Sequence, residues 1–238
     1  MNKRVFYAET AYIVGVLATS LAPAMMAAAD FGVSMVVAPA YLLHLKLSQT
    51  LPWVTYGRAE MAMEVLVIAT AIALLRKFRL SLLFSFATAL LSSSLIDAFS
   101  ALIALFPAPG LAGRMALYVG GLFICGYGVA CMFHTYISAG AYDLFVKEVT
   151  AHFRLNRARF KLGFDIAFCA AGVAMSFAFF GLWRFEGVKA GTIICAFVNG
   201  PIIAMFSRYL DKRYEFRDRL KLRRYFEDAP SELFSAGR

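Results

Sequence analysis

The sequence predicts an all-α membrane protein, a polytopic bundle of about six transmembrane helices. Of its 238 residues, 61% are hydrophobic and only 16% are charged, whereas a soluble domain carries about a quarter charged residues. Several apolar runs approach or exceed the ~20 residues that cross a bilayer as a helix. The runs are continuous and lack the alternation of barrel strands, so a helical bundle is the fold that satisfies the backbone in lipid.

The composition also argues against several functions. The net charge is +9, and the basic residues lie between and after the apolar runs, where they meet anionic lipid headgroups better than nucleic acid. All four cysteines fall inside apolar runs, which predicts neither a disulfide framework nor a zinc site. No catalytic or phosphate-binding motif is visible, so we expect no enzyme, no cofactor and no metal.

The first half of the chain predicts three spans and one short segment. The first span covers 7–28 and resembles a signal peptide at its start, but we expect it to be retained because the chain continues as a polytopic protein. The apolar run 33–47 is too short for a span, so the segment 33–50 is predicted to be amphipathic or re-entrant. The second and third spans cover 54–75 and 80–106, before the break at 107–110.

The second half repeats this plan. The fourth span covers 111–134, the short segment 137–153, and the fifth and sixth spans 162–183 and 190–210. The tail, 212–238, is predicted to begin as a basic cytoplasmic helix and to end in disorder. The fourth span is rich in small residues, which let helices approach closely in lipid. These are Gly120, Gly121, Gly126 and Gly128.

The distribution of Lys and Arg predicts the orientation. The N-terminus, the tail and two loops are rich in basic residues, and the intervening loops are poorer. With six spans, all the basic segments fall on one side, which predicts that both termini are cytoplasmic. The residues assigned to orientation or lipid contact are Arg76, Lys77, Arg79, Arg154, Arg157 and Arg159.

Two stretches, 38–64 and 139–165, align with each other. The pairs are Tyr41 with Tyr142, Lys46 with Lys147, Arg58 with Arg159, and Glu64 with Asp165. The transmembrane domain, 1–211, would then consist of two repeats, 7–106 and 111–211. Because each repeat holds three spans, an odd number, the repeats must be inverted in the membrane, as in many secondary transporters.

The closing stretch GVKAGTIICAFVNGPIIAMFSRYLD resembles the last span of the YczE/YyaS/YitT-like bacterial integral membrane proteins. The residues that match are Gly191, Thr192, Gly200 and Pro201. The stretch FRLSLLFSFATALLSSSLIDAF resembles the third span of that family, which ends in an apolar-Asp-aromatic triplet around Asp97. The resemblance implies a bacterial plasma-membrane location and little about chemistry, since the family is largely uncharacterised.

Ionisable residues inside spans are costly and usually face a cavity or a partner. Asp97 lies deep in the third span, with Ser93 and Ser94 at helical spacing. This pattern indicates either a proton or cation site or one buried hydrogen bond that joins helices. Glu60 and Glu64 lie one turn apart in the second span. Two carboxylates this close cannot both ionise cheaply, which suits proton coupling; the alternative is a solvated interfacial pair.

Four further residues complete the candidate site. Asp165 is either a coupling residue or a first-turn acid paired with a neighbouring basic residue. Tyr41 and Tyr142 are ligand contacts or interfacial anchors. Asn199, with the Gly-Pro that follows it, either opens the last helix near a site or marks a kink.

The leading hypothesis is a small-solute secondary transporter of the bacterial plasma membrane with membrane-embedded acidic residues. The alternative is a non-catalytic membrane scaffold or the binding subunit of a larger membrane complex. The expected partners are the lipid bilayer, its anionic headgroups and an unknown small solute. Homo-oligomerisation or a partner membrane protein stays open.

Overall fold

The structure is a computed structural model that describes residues 4–76, 80–106, 110–137, 140–182 and 185–220. These residues form eight helices and two short strands. The helices are α1 (Ala8–Ala29), α2 (Ala38–Leu47), α3 (Tyr56–Leu75), α4 (Leu80–Ala104), α5 (Leu111–Phe133), α6 (Ala141–His152), α7 (Arg157–Phe180) and α8 (Ala190–Arg213), and the strands are β1 (Arg4–Tyr7) and β2 (Tyr214–Arg217). The predictions made for Lys77, Arg79, the break at 107–109 and the disordered end of the tail lie outside the described residues.

The prediction of a helical membrane bundle is confirmed. Five helices of the described chain, α1, α4, α5, α7 and α8, are long and apolar enough to cross a membrane. Helix α3 is not among these five; it has 20 residues and carries three charged ones, Arg58, Glu60 and Glu64, in its first half. Both predicted short segments are short helices, α2 and α6.

Local chemistry sets several helix ends. The Thr55 side chain accepts a hydrogen bond from the Arg58 N–H, and the Asn156 side chain accepts one from the Arg159 N–H; these are the N-caps of α3 and α7. Helix α1 continues through Pro23 and ends at Asp30, whose φ of 56° is left-handed. The Asp30 carboxylate then pairs with Arg114 at 2.9 Å and with Lys189 at 2.5 Å, which joins the ends of three helices.

Close packing of α1 against α5, and of α5 against α8, forms the centre of the bundle. A Cβ on Gly128 would lie 2.8 Å from Cβ of Ala18 in α1, and one on Gly126 would lie 2.4 Å from Cγ2 of Ile202 in α8. The glycines predicted to allow close approach therefore do so.

The two short helices have matching positions. Helix α2 packs against α3 and α7, and α6 packs against the same two helices. The start of α6 lies beside the middle of α3, since a Cβ on Gly140 would be 3.3 Å from Oε1 of Glu64. The start of α2 lies beside the interior of α7, since a Cβ on Gly172 would be 3.4 Å from Cβ of Ala38. Each short helix thus bridges α3 and α7.

The tail does not continue as a helix, contrary to the prediction for its first residues. Helix α8 ends at Arg213, and β2 pairs in parallel with β1. The side chains of Tyr214 and Phe216 alternate onto one face, where both contact the Phe6 ring, at centroid distances of 5.3 and 5.6 Å. These residues form a strand because they pair with β1. The local sequence around them does not reveal this pairing.

Glu9, in the first turn of α1, binds the segment that follows β2. Its carboxylate accepts hydrogen bonds from the Tyr136 hydroxyl at 2.7 Å and from the Leu220 N–H at 2.8 Å. We expect Glu9→Ala to speed tryptic cleavage after Arg217 about tenfold, because loss of charged hydrogen bonds favours local opening. Limited proteolysis followed by mass spectrometry measures this. Glu186→Ala is the control. Equal cleavage rates for the two variants would show that the hydrogen bonds of Glu9 do not hold this segment.

Candidate functional site

The two acids of α3 form the most buried ionisable cluster near the middle of that helix. Glu60 and Glu64 are only 4% and 5% exposed. They lie one helical turn apart, and Tyr56 lies one turn before Glu60, so all three side chains share a face. Oε2 of each carboxyl group, and the Tyr56 hydroxyl, are buried without a hydrogen-bond partner among the described residues. Such groups are costly to bury, and a proton, an ion or a ligand that satisfies them would lower this cost.

The start of α6 covers this pair. Glu64 Oε1 is close to Gly140, so the free N–H groups of the first turn of α6 lie beside the carboxyl group. Tyr142, from the same turn, is buried, and its hydroxyl lies beside the Glu60 carboxyl group. Its ring packs edge-on against Phe168 at 5.6 Å. Two acids from α3 and a tyrosine from α6 therefore meet, although they are distant in sequence.

Apolar packing closes the site toward the C-terminal end of α3. Val67, Ile68 and Ala71 form a buried cluster with residues of the first turn of α6, including Ala141 and Leu144. This cluster separates the acidic pair from that end of the bundle.

On the other side of the pair lies a cavity of about 720 Å³. It is bounded by the ends of α1 and α4, by α2 and by the segment before α3. The rings of Tyr41 and Tyr56 meet edge to face at 5.0 Å, and the His44 ring stacks on Tyr56 at 6.1 Å. His44 is oriented by a 2.9 Å hydrogen bond between Nδ1 and the Val54 carbonyl. Tyr56 therefore lines the cavity and lies one turn from Glu60.

Asp97 lines the same cavity and joins α4 to the start of α3. Its carboxylate accepts hydrogen bonds from the Thr55 hydroxyl at 2.6 Å and from the Gly57 N–H at 2.7 Å. The second bond satisfies one of the N–H groups that a helix N-terminus leaves free. The backbones are so close here that a Cβ on Gly57 would lie 1.9 Å from the Ser93 carbonyl oxygen.

Asp165 belongs to a separate charged group at the start of α7. Lys161 pairs with Asp165 at 3.1 Å and with Asp143 of α6 at 3.3 Å. Because these side chains are partly buried, an unpaired charge among them would be costly, and the Lys161 ammonium group compensates both carboxylates. The pairing links α6 to α7. It corresponds to the salt-bridged alternative for Asp165, with Lys161 as the partner.

A family model described as a family of unknown function, DUF6198, matches residues 6–208. The chain belongs to the DUF6198 family. The match runs from β1 into α8 and so includes the acidic pair, the cavity and the charged group. No curated protein and no solved structure matches the chain.

The remaining predicted site residues of this DUF6198 protein lie elsewhere. Ser93 is buried and Ser94 is exposed, and both hydroxyls donate to the Leu90 carbonyl of their own helix. Asn199 lies on α8, which packs chiefly on α5, and its Oδ1 is buried without a partner among the described residues. The structure thus brings together Glu60, Glu64 and Tyr142, and places Tyr41 and Asp97 at the adjoining cavity.

Sequence reasoning missed three residues of the candidate site. Tyr56 precedes Glu60 by four residues, so helical spacing alone would have placed it on the acidic face. Thr55 has the position of an N-cap, directly before the apolar helix. No local signal in the sequence predicts that the His44 ring stacks on Tyr56.

Proposed function

We propose that this DUF6198 protein is a small-solute secondary transporter in which Glu60 and Glu64 carry the coupling proton. One observation carries the proposal. Two carboxyl groups, each about nineteen-twentieths buried, lie one turn apart with an unpartnered oxygen on each. Two such groups in an apolar setting cannot both stay ionised, so a proton or a cation accompanies the pair.

We propose six spans in two inverted repeats, in which α3 crosses the membrane in addition to the five long apolar helices. The helix contacts support this arrangement. Helix α1 packs on α4 as α5 packs on α8, and α2 packs on α7 as α6 packs on α3. Two inverted repeats would produce such equivalent pairs of contacts, because each short helix then packs against a helix of the other repeat. In this arrangement α2 and α6 both begin inside the membrane, because their first residues lie beside the interiors of α7 and α3.

The basic residues of the sequence support an orientation with both termini in the cytoplasm. The resemblance to the YczE/YyaS/YitT-like proteins supports a bacterial plasma membrane. In this orientation the cavity opens to the outside, since it lies at the end of α1 and the start of α3. The apolar cluster around Ile68 then closes the inner side. In this proposal the conformation corresponds to the outward-open state of a carrier.

In this proposal the polar groups form a path from the cavity. Tyr56 lines the cavity, Glu60 follows one turn later on α3, and Glu64 follows one turn after that. The Tyr142 hydroxyl is contributed from α6 to the same cluster and can donate to either carboxylate. A proton entering from the outer cavity would reach Glu60 first and Glu64 second.

The test is solute-driven proton movement in proteoliposomes. A panel of amines, amino acids, carboxylates, sugars and alkali cations is first screened for thermal stabilisation of the purified protein at two pH values. Each stabilising compound is then added outside vesicles that contain a pH-sensitive dye. We expect at least one compound to move protons across the membrane, with the movement lost in Glu60→Gln. Stabilisation without proton movement by any compound would contradict the proposal.

A non-catalytic membrane scaffold is the second candidate function. The observation that favours it is the two-stranded sheet, because the outer edges of β1 and β2 carry no further strand among the described residues. A partner strand could pair there. Two results together would favour the scaffold over the transporter. A membrane partner would co-purify with the protein and be lost on deleting residues 214–217, and the proteoliposomes would show no proton movement.

A further inference from the structure

The wall of the cavity carries one acidic side chain. Its lining, drawn from the described residues, contains the carboxylate of Asp97 and no lysine or arginine. The hydrogen bonds from Thr55 and Gly57 go to different oxygens of Asp97. A carboxylate accepts at about four lone-pair positions, so half of this capacity remains for a ligand in the cavity.

Aromatic rings form another part of the wall. Tyr41 and Tyr56 meet edge to face at 5.0 Å, and His44 lies beside both rings, with centroids 6.3 and 6.1 Å away. The faces of tyrosine rings attract cations through their quadrupole, most strongly where water is excluded. Tyr56 is only 4% exposed and is covered by the other two rings, so it holds them in place, and the partly exposed ring of Tyr41 is the one that can meet a cation.

We propose that this cavity binds an organic ammonium cation through Asp97 and the aromatic rings. The rest of the lining is apolar, with Ala28, Ile103 and Ala104 among its residues. Apolar walls suit the alkyl groups of such a cation, whereas bare Ca²⁺ or Mg²⁺ needs about six or more oxygen ligands. The volume of about 720 Å³ lies in the range of small-molecule sites. Two sources share this chemistry, a free solute and the headgroup of a lipid such as phosphatidylcholine.

The inference rests on the proposed function only for the claim that the cation is the transported solute. Binding itself is independent of transport and is measured separately. If choline binds and no protons move, the transporter proposal fails and the site stands. If protons move with other compounds and choline does not bind, the site fails and the transporter stands.

The probe is radiolabelled choline, and its matched control is 3,3-dimethyl-1-butanol, which has the same shape without the charge. Scintillation proximity assays use the full chain in maltoside micelles, which contain no ammonium group. We expect the neutral analogue to compete at least about tenfold more weakly than unlabelled choline, because it lacks both the ion pair and the cation–π attraction. Equal competition by the two compounds would overturn the proposal.

Two sets of variants locate the site. Asp97→Asn keeps the shape and the bond to Gly57 but removes the charge, and we expect choline affinity to fall about tenfold or more. Tyr41→Leu removes a ring, whereas Tyr41→Phe keeps its face; we expect weaker binding only in the leucine variant. The tyrosine pair provides the test if Asp97→Asn does not fold. Wild-type affinity in Asp97→Asn and in Tyr41→Leu would place the choline elsewhere and contradict the proposal.

Nanodiscs distinguish the two sources. Choline binding is compared in phosphatidylglycerol discs with and without phosphatidylcholine. Competition by phosphatidylcholine identifies the lipid headgroup as an occupant, and unchanged binding identifies a free solute. Both results support an ammonium site. In each of them, choline binds in the phosphatidylglycerol discs, which contain no choline headgroup. No choline binding in phosphatidylglycerol discs or in micelles would overturn it.

Discussion

Replacing Gly57 with alanine should destabilise the protein by about 3 kcal/mol or more, or prevent its folding. The added Cβ would lie 1.9 Å from the Ser93 carbonyl oxygen and 2.8 Å from Cγ of Asp97, a closer approach than at any other described glycine with neighbours. The obstacle is the backbone of α4, which cannot rotate away as a side chain does. Helix α3 would have to move, and the hydrogen bond from Gly57 to Asp97 would lengthen.

Thermal unfolding in detergent measures this effect, with Gly163→Ala as the matched control. Gly163 lies inside α7 and has no atom within 4 Å of the position a Cβ would take. Its replacement should be neutral or stabilising by up to about 1 kcal/mol, because alanine favours helix over glycine. Equal midpoints for the two variants would contradict the close approach of α3 to α4 at the wall of the cavity.

Glu64→Gln should decrease solute-driven proton movement at least about tenfold, while leaving solute exchange measurable. Glutamine has the size of glutamate and keeps an oxygen beside the start of α6, where Gly140 lies. It cannot take up or release a proton under these conditions. A coupling residue is needed for net transport with protons, but exchange of one solute molecule for another needs no proton transfer.

The measurement compares proton movement with counterflow of labelled solute in the same proteoliposomes. Glu186→Gln is the control, since Glu186 is a partly exposed acid in the loop before α8, paired with Lys189 at 3.6 Å. We expect this control to retain both activities. Loss of exchange and proton movement together in Glu64→Gln would indicate a structural role for Glu64, and retention of both would show that the proton binds elsewhere.

Properties that depend on composition and on neighbouring residues could be predicted from the sequence. The excess of apolar runs indicates a membrane protein, and the starts and ends of most helices lie within a few residues of their predicted positions. The shared face of Glu60 and Glu64 follows from helical spacing, because residues four apart lie one turn apart on a helix. The close approach at the glycines of α5 follows from their lack of a side chain.

Contacts between distant segments were decided only by the tertiary structure. The spacing of residues along α3 contains no information that Tyr142 would cover its acids, nor that Asp97 would accept the N–H of Gly57. Residues 214–217 form a strand because β1 lies beside them, and each residue of β1 pairs with one 210 positions later in the chain. The sequence by itself determined the class of protein and the local faces of its helices, since these follow from solvent and periodicity. Which faces meet, and hence where the site lies, depended on packing among helices far apart in the chain.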